Sequence, residues 1–170
     1  MSRLNLSAKS NTVIAGGRAP VKMSVSTDEA DIYPGYVVTA DTLPNVNNAD
    51  GNYGDSGFAS VATPLGVALC SPSQDLDTAY SANSAFEIVL LGSGTIVWCL
   101  VAADMGNIAA GDPIFLSETA GMVCPIAKYI TTAATPDVDE LAGLIQGQVG
   151  RAMEDSANDA SDDRWVKVMI

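Results

Sequence analysis

The sequence predicts an all-β protein: a small β-barrel, or two related β units packed as one body, with an extended N-terminal arm and at most one short helix. Three observations carry this. Short runs rich in Val, Ile and Leu recur between clusters of Gly, Asn, Asp and Ser, the pattern of short strands joined by turns. A helical period is lacking almost everywhere. The 170 residues are 48% hydrophobic but only 6% aromatic and 16% charged, so an aliphatic core is within reach of one domain.

The elements follow in chain order. Residues 1–27 are rich in Ser, Asn, Ala and Gly, contain the breakers Gly16-Gly17 and Ala19-Pro20, and show no sustained period, which predicts an arm; residues 28–170 form the barrel domain. Tyr33-Pro34-Gly35-Tyr36-Val37-Val38 reads as a tight turn feeding a strand. Residues 43–57, dense in Asn, Asp, Gly and Pro, read as a long surface loop. Strands are expected over 66–70, 85–91 and 95–102, the last two joined as a hairpin through Gly92-Ser93-Gly94. A second hairpin is expected from 114–117 and 122–127 around the turn at 118–121. A terminal strand over 165–170 follows the Asp/Ser/Asn-rich turn 155–163, and Pro136–Ile145 is the one short helix candidate, with acids near its N-terminus where the dipole favours them.

A repeat is visible inside this pattern. Ile32–Val38 can be laid on Ile108–Ile114, Gly66-Val67-Ala68-Leu69 on Gly150-Arg151-Ala152-Met153, and the strand at Phe86–Leu90 on that at Trp165–Met169, with offsets of 76, 84 and 79 residues. Chance similarity among Gly- and Val-rich strands is the competing explanation; a true repeat makes two related β units.

The net charge of −12 is unevenly laid out. Residues 1–22 hold Arg3, Lys9, Arg18 and Lys22 and no acid, residues 23–127 hold twelve acids and no Lys or Arg, and the remainder carries −4. An acidic body repels phosphate backbones, so no nucleic-acid partner is expected. The longest apolar run, Ile96–Ala103, is too short to cross a bilayer, so no membrane partner is expected either. Cys70, Cys99 and Cys124 are odd in number, sit among apolar residues and lack ligand spacing, which predicts buried free thiols and assembly in a reducing cytoplasm.

Histidine is absent, which removes the commonest general base and the Ser-His and Cys-His nucleophile arrangements. Carboxylate groups at Asp75/Asp77, Asp137/Asp139/Glu140 and Asp162/Asp163 could in principle serve a glycosidase, but they fall in turn-like stretches where solvated acids are the simpler reading. The oxygen-rich stretch Asn45–Asp55 fails the hand-loop calcium template, with Val46 at the first ligand position and no acid at the twelfth. No catalytic residue, metal or cofactor is therefore expected, and the protein is expected not to be an enzyme. Trp98 and Trp165 lie in strand-like runs, and the terminal strand is apolar on both faces, so Trp98, Trp165 and Val168 are candidates for an oligomer interface.

Several segments resemble a known family: Asn107-Ile108-Ala109-Ala110-Gly111-Asp112-Pro113-Ile114-Phe115-Leu116, Gly121-Met122-Val123, Gly150-Arg151-Ala152-Met153-Glu154, and Trp165-Val166-Lys167-Val168-Met169-Ile170. In that order they are similar to the capsid decoration, or cement, proteins of tailed viruses. The similarity covers residues 100–170, and 30–70 more loosely through Pro34-Gly35 and Pro64–Ala68. The long loop 43–57 and the insertion at 128–144 depart from the compact pattern. The resemblance implies a homotrimeric barrel on the outer capsid surface of a virion assembled in the host cytoplasm, whose arm, with Arg3, Lys9, Arg18 and Lys22, straps onto major capsid proteins and stabilises the shell. The alternative on the same fold is a surface head that binds a receptor or glycan.

Overall fold

The computed structural model describes residues 12–13, 20–28, 31–51, 61–71, 75–126 and 145–170. Among the described residues eleven strands are present: β1 (Thr12–Val13), β2 (Lys22–Ser26), β3 (Val37–Ala40), β4 (Val46–Asn48), β5 (Pro64–Ala68), β6 (Ala85–Leu90), β7 (Ile96–Val101), β8 (Pro113–Leu116), β9 (Val123–Pro125), β10 (Gln148–Ala152) and β11 (Arg164–Met169). They form two sheets. One runs β2-β6-β5-β3-β4, the other β1-β7-β11-β10-β8-β9.

Each sheet curls round and closes on itself. In the second, β7 also pairs with β9 in parallel at Val101 and Val123; in the first, the end of β2 meets the start of β4 through a parallel bridge between Ser26 and Asn45. Five strands in each unit therefore make a small barrel, and closure removes most of the sheet edge.

The two barrels are copies of one design. Taken in chain order, β2, β3, β4, β5 and β6 match β7, β8, β9, β10 and β11, and every pairing in the first unit has its counterpart in the second. The match reaches single hydrogen bonds. Gly35 N–H donates to Ala68 O at 2.8 Å, and Gly111 N–H to Ala152 O at 2.8 Å. Ala68 N–H donates to Tyr36 O, and Ala152 N–H to Asp112 O, at 2.8 and 2.9 Å. The ladder irregularity between Val38 and Thr39 against β5 recurs between Gln148 and Gly150 against β8, leaving Leu65 and Val149 as the extra residues of matching bulges. Both units of the sequence repeat are thus real β units, with the third offset being 80 rather than 79: Ala68 opposes Ile88, and Ala152 opposes Val168.

Side-chain alternation sets the cores. In β6, Phe86 and Ile88 face the interior while Glu87 faces solvent. The first interior gathers Val25, Ile32, Val38, Val46, Ala68, Tyr80, Phe86 and Ile88. The second is lined by Val97, Cys99, Val101, Ile114, Leu116, Val123, Val166 and Val168, and Val37, Val67 and Val89 of the first barrel join it from outside. The barrels therefore pack as one body. Backbone bonds reinforce the junction, with Val37 N–H to Gly121 O at 2.8 Å, Gly121 N–H to Ala49 O at 2.7 Å and Gly51 N–H to Ser117 O at 2.8 Å.

Three local expectations are corrected. Residues 85–91 and 95–102 are strands but not a hairpin: β6 pairs with β2 and β5, while β7 belongs to the second barrel, so Gly92-Ser93-Gly94 is the passage between units. Residues 22–26, read as the end of the arm, form β2 along the whole of β6. Within the stretch read as loop 43–57, Val46–Asn48 is strand β4. The helix candidate lies outside the described residues up to residue 144, and only Ile145–Gln146 shows a helical turn.

Candidate functional site

A cleft of about 150 Å³ opens where the barrels meet, lined by Tyr33, Pro34, Tyr36, Leu76, Leu100, Asp163 and Trp165. The first barrel supplies the turn into β3. Gly35 sits at φ +88°, a left-handed conformation that glycine adopts without strain. It leaves room for the Trp165 ring, which a β carbon at position 35 would meet at 2.7 Å from Cη2. Tyr33 and Tyr36 flank the turn with ring centroids 5.3 Å apart. The second barrel supplies Leu100 from β7 and Trp165 from β11, with Asp163 just before it.

Three aromatic rings and one carboxylate can hold a flat or cationic group. Asp163 is fixed in place, its Oδ1 accepting from Ala103 N–H at 3.0 Å. The Trp165 indole N–H is buried and has no hydrogen-bond partner among the described residues.

The acids of the second barrel's loops are used as turn acceptors. Ala110 N–H donates to Asp155 at 2.8 Å, Ala109 N–H to Asp112 at 2.8 Å, and Ser161 and Asp162 N–H to Asp159 at 3.0 and 3.2 Å. Those bonds from Ser161 and Asp162 hold the Asp159 carboxyl below the usual carboxylate range. Arg164 ties the same loops together, donating from Nε to Ser156 Oγ at 2.9 Å and from its fork to Gly106 O. Among the described residues no group of three or more His, Cys, Asp or Glu side chains is placed to hold a metal ion. Asp75 and Asp77 are exposed, and Asp137, Asp139 and Glu140 lie outside the described residues.

All three cysteines are free and buried, as their apolar surroundings predict. Burial pushes the Cys99 thiol up to about 12, so it stays protonated and inert.

The candidate interface residues have partners inside the chain. Val168 is 0% exposed in the second core, which leaves no surface for another copy, so that assignment is corrected. Trp98 and Trp165 are 8% and 7% exposed. Trp165 packs on Gly35, and Lys167 Nζ sits 4.7 Å above the Trp98 ring while pairing with Glu154 at 3.0 Å. One face of the terminal strand thus lines its own barrel, and on the other Trp165 is covered by the neighbouring barrel while Met169 is exposed. Of the arm cations, Arg3, Lys9 and Arg18 lie outside the described residues, whereas Lys22 is on β2 and pairs with Glu87 at 3.2 Å at the surface.

Sequence reasoning missed Tyr33, Tyr36 and Asp163 as cleft residues. The Tyr-Pro-Gly-Tyr turn was the available signal, but Trp165 meets it only through packing of the two units. No protein-family model matches the sequence, and no match is found among curated proteins. What the fold and cleft define is a class: a tandem double-barrel all-β protein with an aromatic cleft at the junction.

Proposed function

We propose that the chain is a structural virion protein that binds the outer surface of a capsid shell, as an oligomer, and stabilises it through contacts with the major capsid protein. The observation that carries this reading is the duplication. Two like barrels held in one body can engage two neighbouring copies of a repeating lattice, and the second contact then forms at high effective concentration without any new chemistry. The sequence resemblance to decoration proteins supports the same reading. So does the charge layout, with Arg3, Lys9, Arg18 and Lys22 ahead of an acidic body suited to strapping onto an acidic shell.

The test is co-sedimentation of the full chain, and of a form lacking residues 1–19, with undecorated shells at low and high salt. The truncation spares β2 but takes β1 off the β7 edge, so an unchanged urea midpoint of the truncated form is required before loss of binding is assigned to the segment. Binding by the full chain, weakened by truncation and by salt, supports the reading. If neither form binds shells, while the full chain binds cells or glycans, the receptor-binding alternative replaces it.

A further inference from the structure

We propose that the outer edge of β2 at Lys22–Met23 is a docking site for the Thr12–Val13 segment of a second copy of this chain. The inference comes from the internal duplication and does not rest on the capsid reading.

β2 and β7 are the same strand in the two barrels, related by an offset of 74: Lys22 opposes Val89 of β6 as Ile96 opposes Met169 of β11. The outer edge of β7 is occupied. Thr12 and Val13 lie antiparallel to it, opposite Val97 and Ile96. The matching positions on β2 are Met23 and Lys22, and among the described residues no strand pairs with them on that side.

The register shows that this edge presents backbone groups. Leu90 N–H donates to Val21 O at 3.0 Å, as Ile170 N–H donates to Thr95 O at 2.9 Å. Residues 21, 23 and 25 therefore direct their backbone groups at β6, and residues 22, 24 and 26 direct theirs outward. Ser26 uses its outward N–H on Pro44 O at 3.0 Å. Lys22 and Ser24 occupy the positions of Ile96 and Trp98, of which Ile96 faces Val13. The edge also carries exposed apolar surface: Val21 is 54% exposed where its counterpart Thr95 is 5%. An unpaired edge beside exposed apolar surface is a template for strand addition.

The segment seated on the twin edge names the occupant. A strand that fits β7 fits the same backbone on β2. Within its own chain the segment is paired with β7, so seating it on β2 of a second copy vacates the donor's β7 edge. Exchange of a segment between copies conserves the number of strand pairs, so it costs little and concentration decides it. Donor and acceptor surfaces differ, so the contact is head-to-tail and closes as a ring or propagates.

The test mixes two chains that each carry one added cysteine, Thr12→Cys and Met23→Cys, one of them mass-tagged, under mild oxidation. Thr12 and Met23 would face each other at a non-hydrogen-bonded pair, where Cα atoms lie about 4.5 Å apart, within disulfide reach. The native thiols are buried and do not compete. The expected result is a tagged–untagged dimer well above that from Thr12→Cys mixed with the exposed control Ser81→Cys. Lys22→Pro removes an outward N–H without touching the β2–β6 bonds, and by sedimentation it is expected to weaken self-association at least about tenfold with an unchanged circular dichroism spectrum. A chain lacking residues 1–19 is expected to be monomeric. The proposal is overturned if the mixed dimer does not exceed the control, if a chain carrying both cysteines closes the bond within a monomer, or if the truncated chain associates as tightly as the parent.

Discussion

The Trp165 ring of the second barrel lies on Gly35 of the first, at a position where any β carbon would collide with it. Gly111 holds the same place in the second unit, at φ +93°, yet a β carbon there meets nothing within 4 Å. Duplication has kept the backbone turn in both units and given one of them a second task, spacing the barrels. Gly35→Ala therefore combines left-handed strain with overpacking and is expected to destabilise the chain by about 2–4 kcal/mol, whereas Gly111→Ala carries the strain alone, about 1–2 kcal/mol. Urea unfolding of the two variants measures the difference, and Trp fluorescence is expected to change only in the first.

Gly66 and Gly150 behave differently, because both are pressed on the neighbouring strand. A β carbon at Gly66 would stand 2.5 Å from Val89 O, and one at Gly150 2.8 Å from Val168 Cγ1 and closer still to Met169 O. Alanine at either site must push β5 from β6 or β10 from β11, and a cost of about 2 kcal/mol or more is expected at each. Near-equal losses in denaturant midpoint check that the two positions are structurally equivalent.

Alkaline pH is expected to destabilise the fold through two buried groups. Cys99 is pushed up to about 12 by burial, and Tyr80 to about 12, chiefly by burial, with its hydroxyl donating to Leu69 O. Both folded values stand above the unfolded ones, so the folded state retains protons that the unfolded chain releases. Stability is complete below about pH 9 and falls as pH rises toward 12, with Cys99 contributing a slope of about 1.4 kcal/mol per pH unit. Melting temperature against pH for the parent and Cys99→Ala measures this, the variant having the flatter alkaline limb.

At the acid end, Asp159 has a folded value below its ordinary one, held there by Ser161 and Asp162. Its contribution is present above about pH 4 and disappears as pH falls through the lowered value. Asp159→Asn is expected to flatten the acid limb of the same melting profile and leave the alkaline limb unchanged.

The fold was legible in the sequence where one strand suffices to read it. The apolar runs that became β6, β7, β8, β9 and β11 are each long enough, or bracketed by turn residues clearly enough, to declare themselves. The repeat showed through glycines that the backbone requires, Gly35/Gly111 and Gly66/Gly150. What was not legible depends on partners distant in sequence. Lys22–Ser26 alternates polar residues with single apolar ones and becomes a strand because β6 lies beside it. Val46 carries β4 nearly alone, with two asparagines after it. Gly92 and Gly94 suit a tight hairpin, but the turn instead delivers the chain to a new barrel. Both faces of β11 are apolar, and sequence could not distinguish burial by another copy from burial by a sister unit in the same chain. The cleft had the same difficulty, being assembled from a turn of one unit and a strand of the other.

The most direct experiment on the capsid proposal is image reconstruction of shells incubated with the protein. Both barrels of each chain are expected over neighbouring copies of the shell protein, presenting equivalent strands toward it. Shells without added density, or density in which one barrel touches the shell while the other projects free, would contradict it.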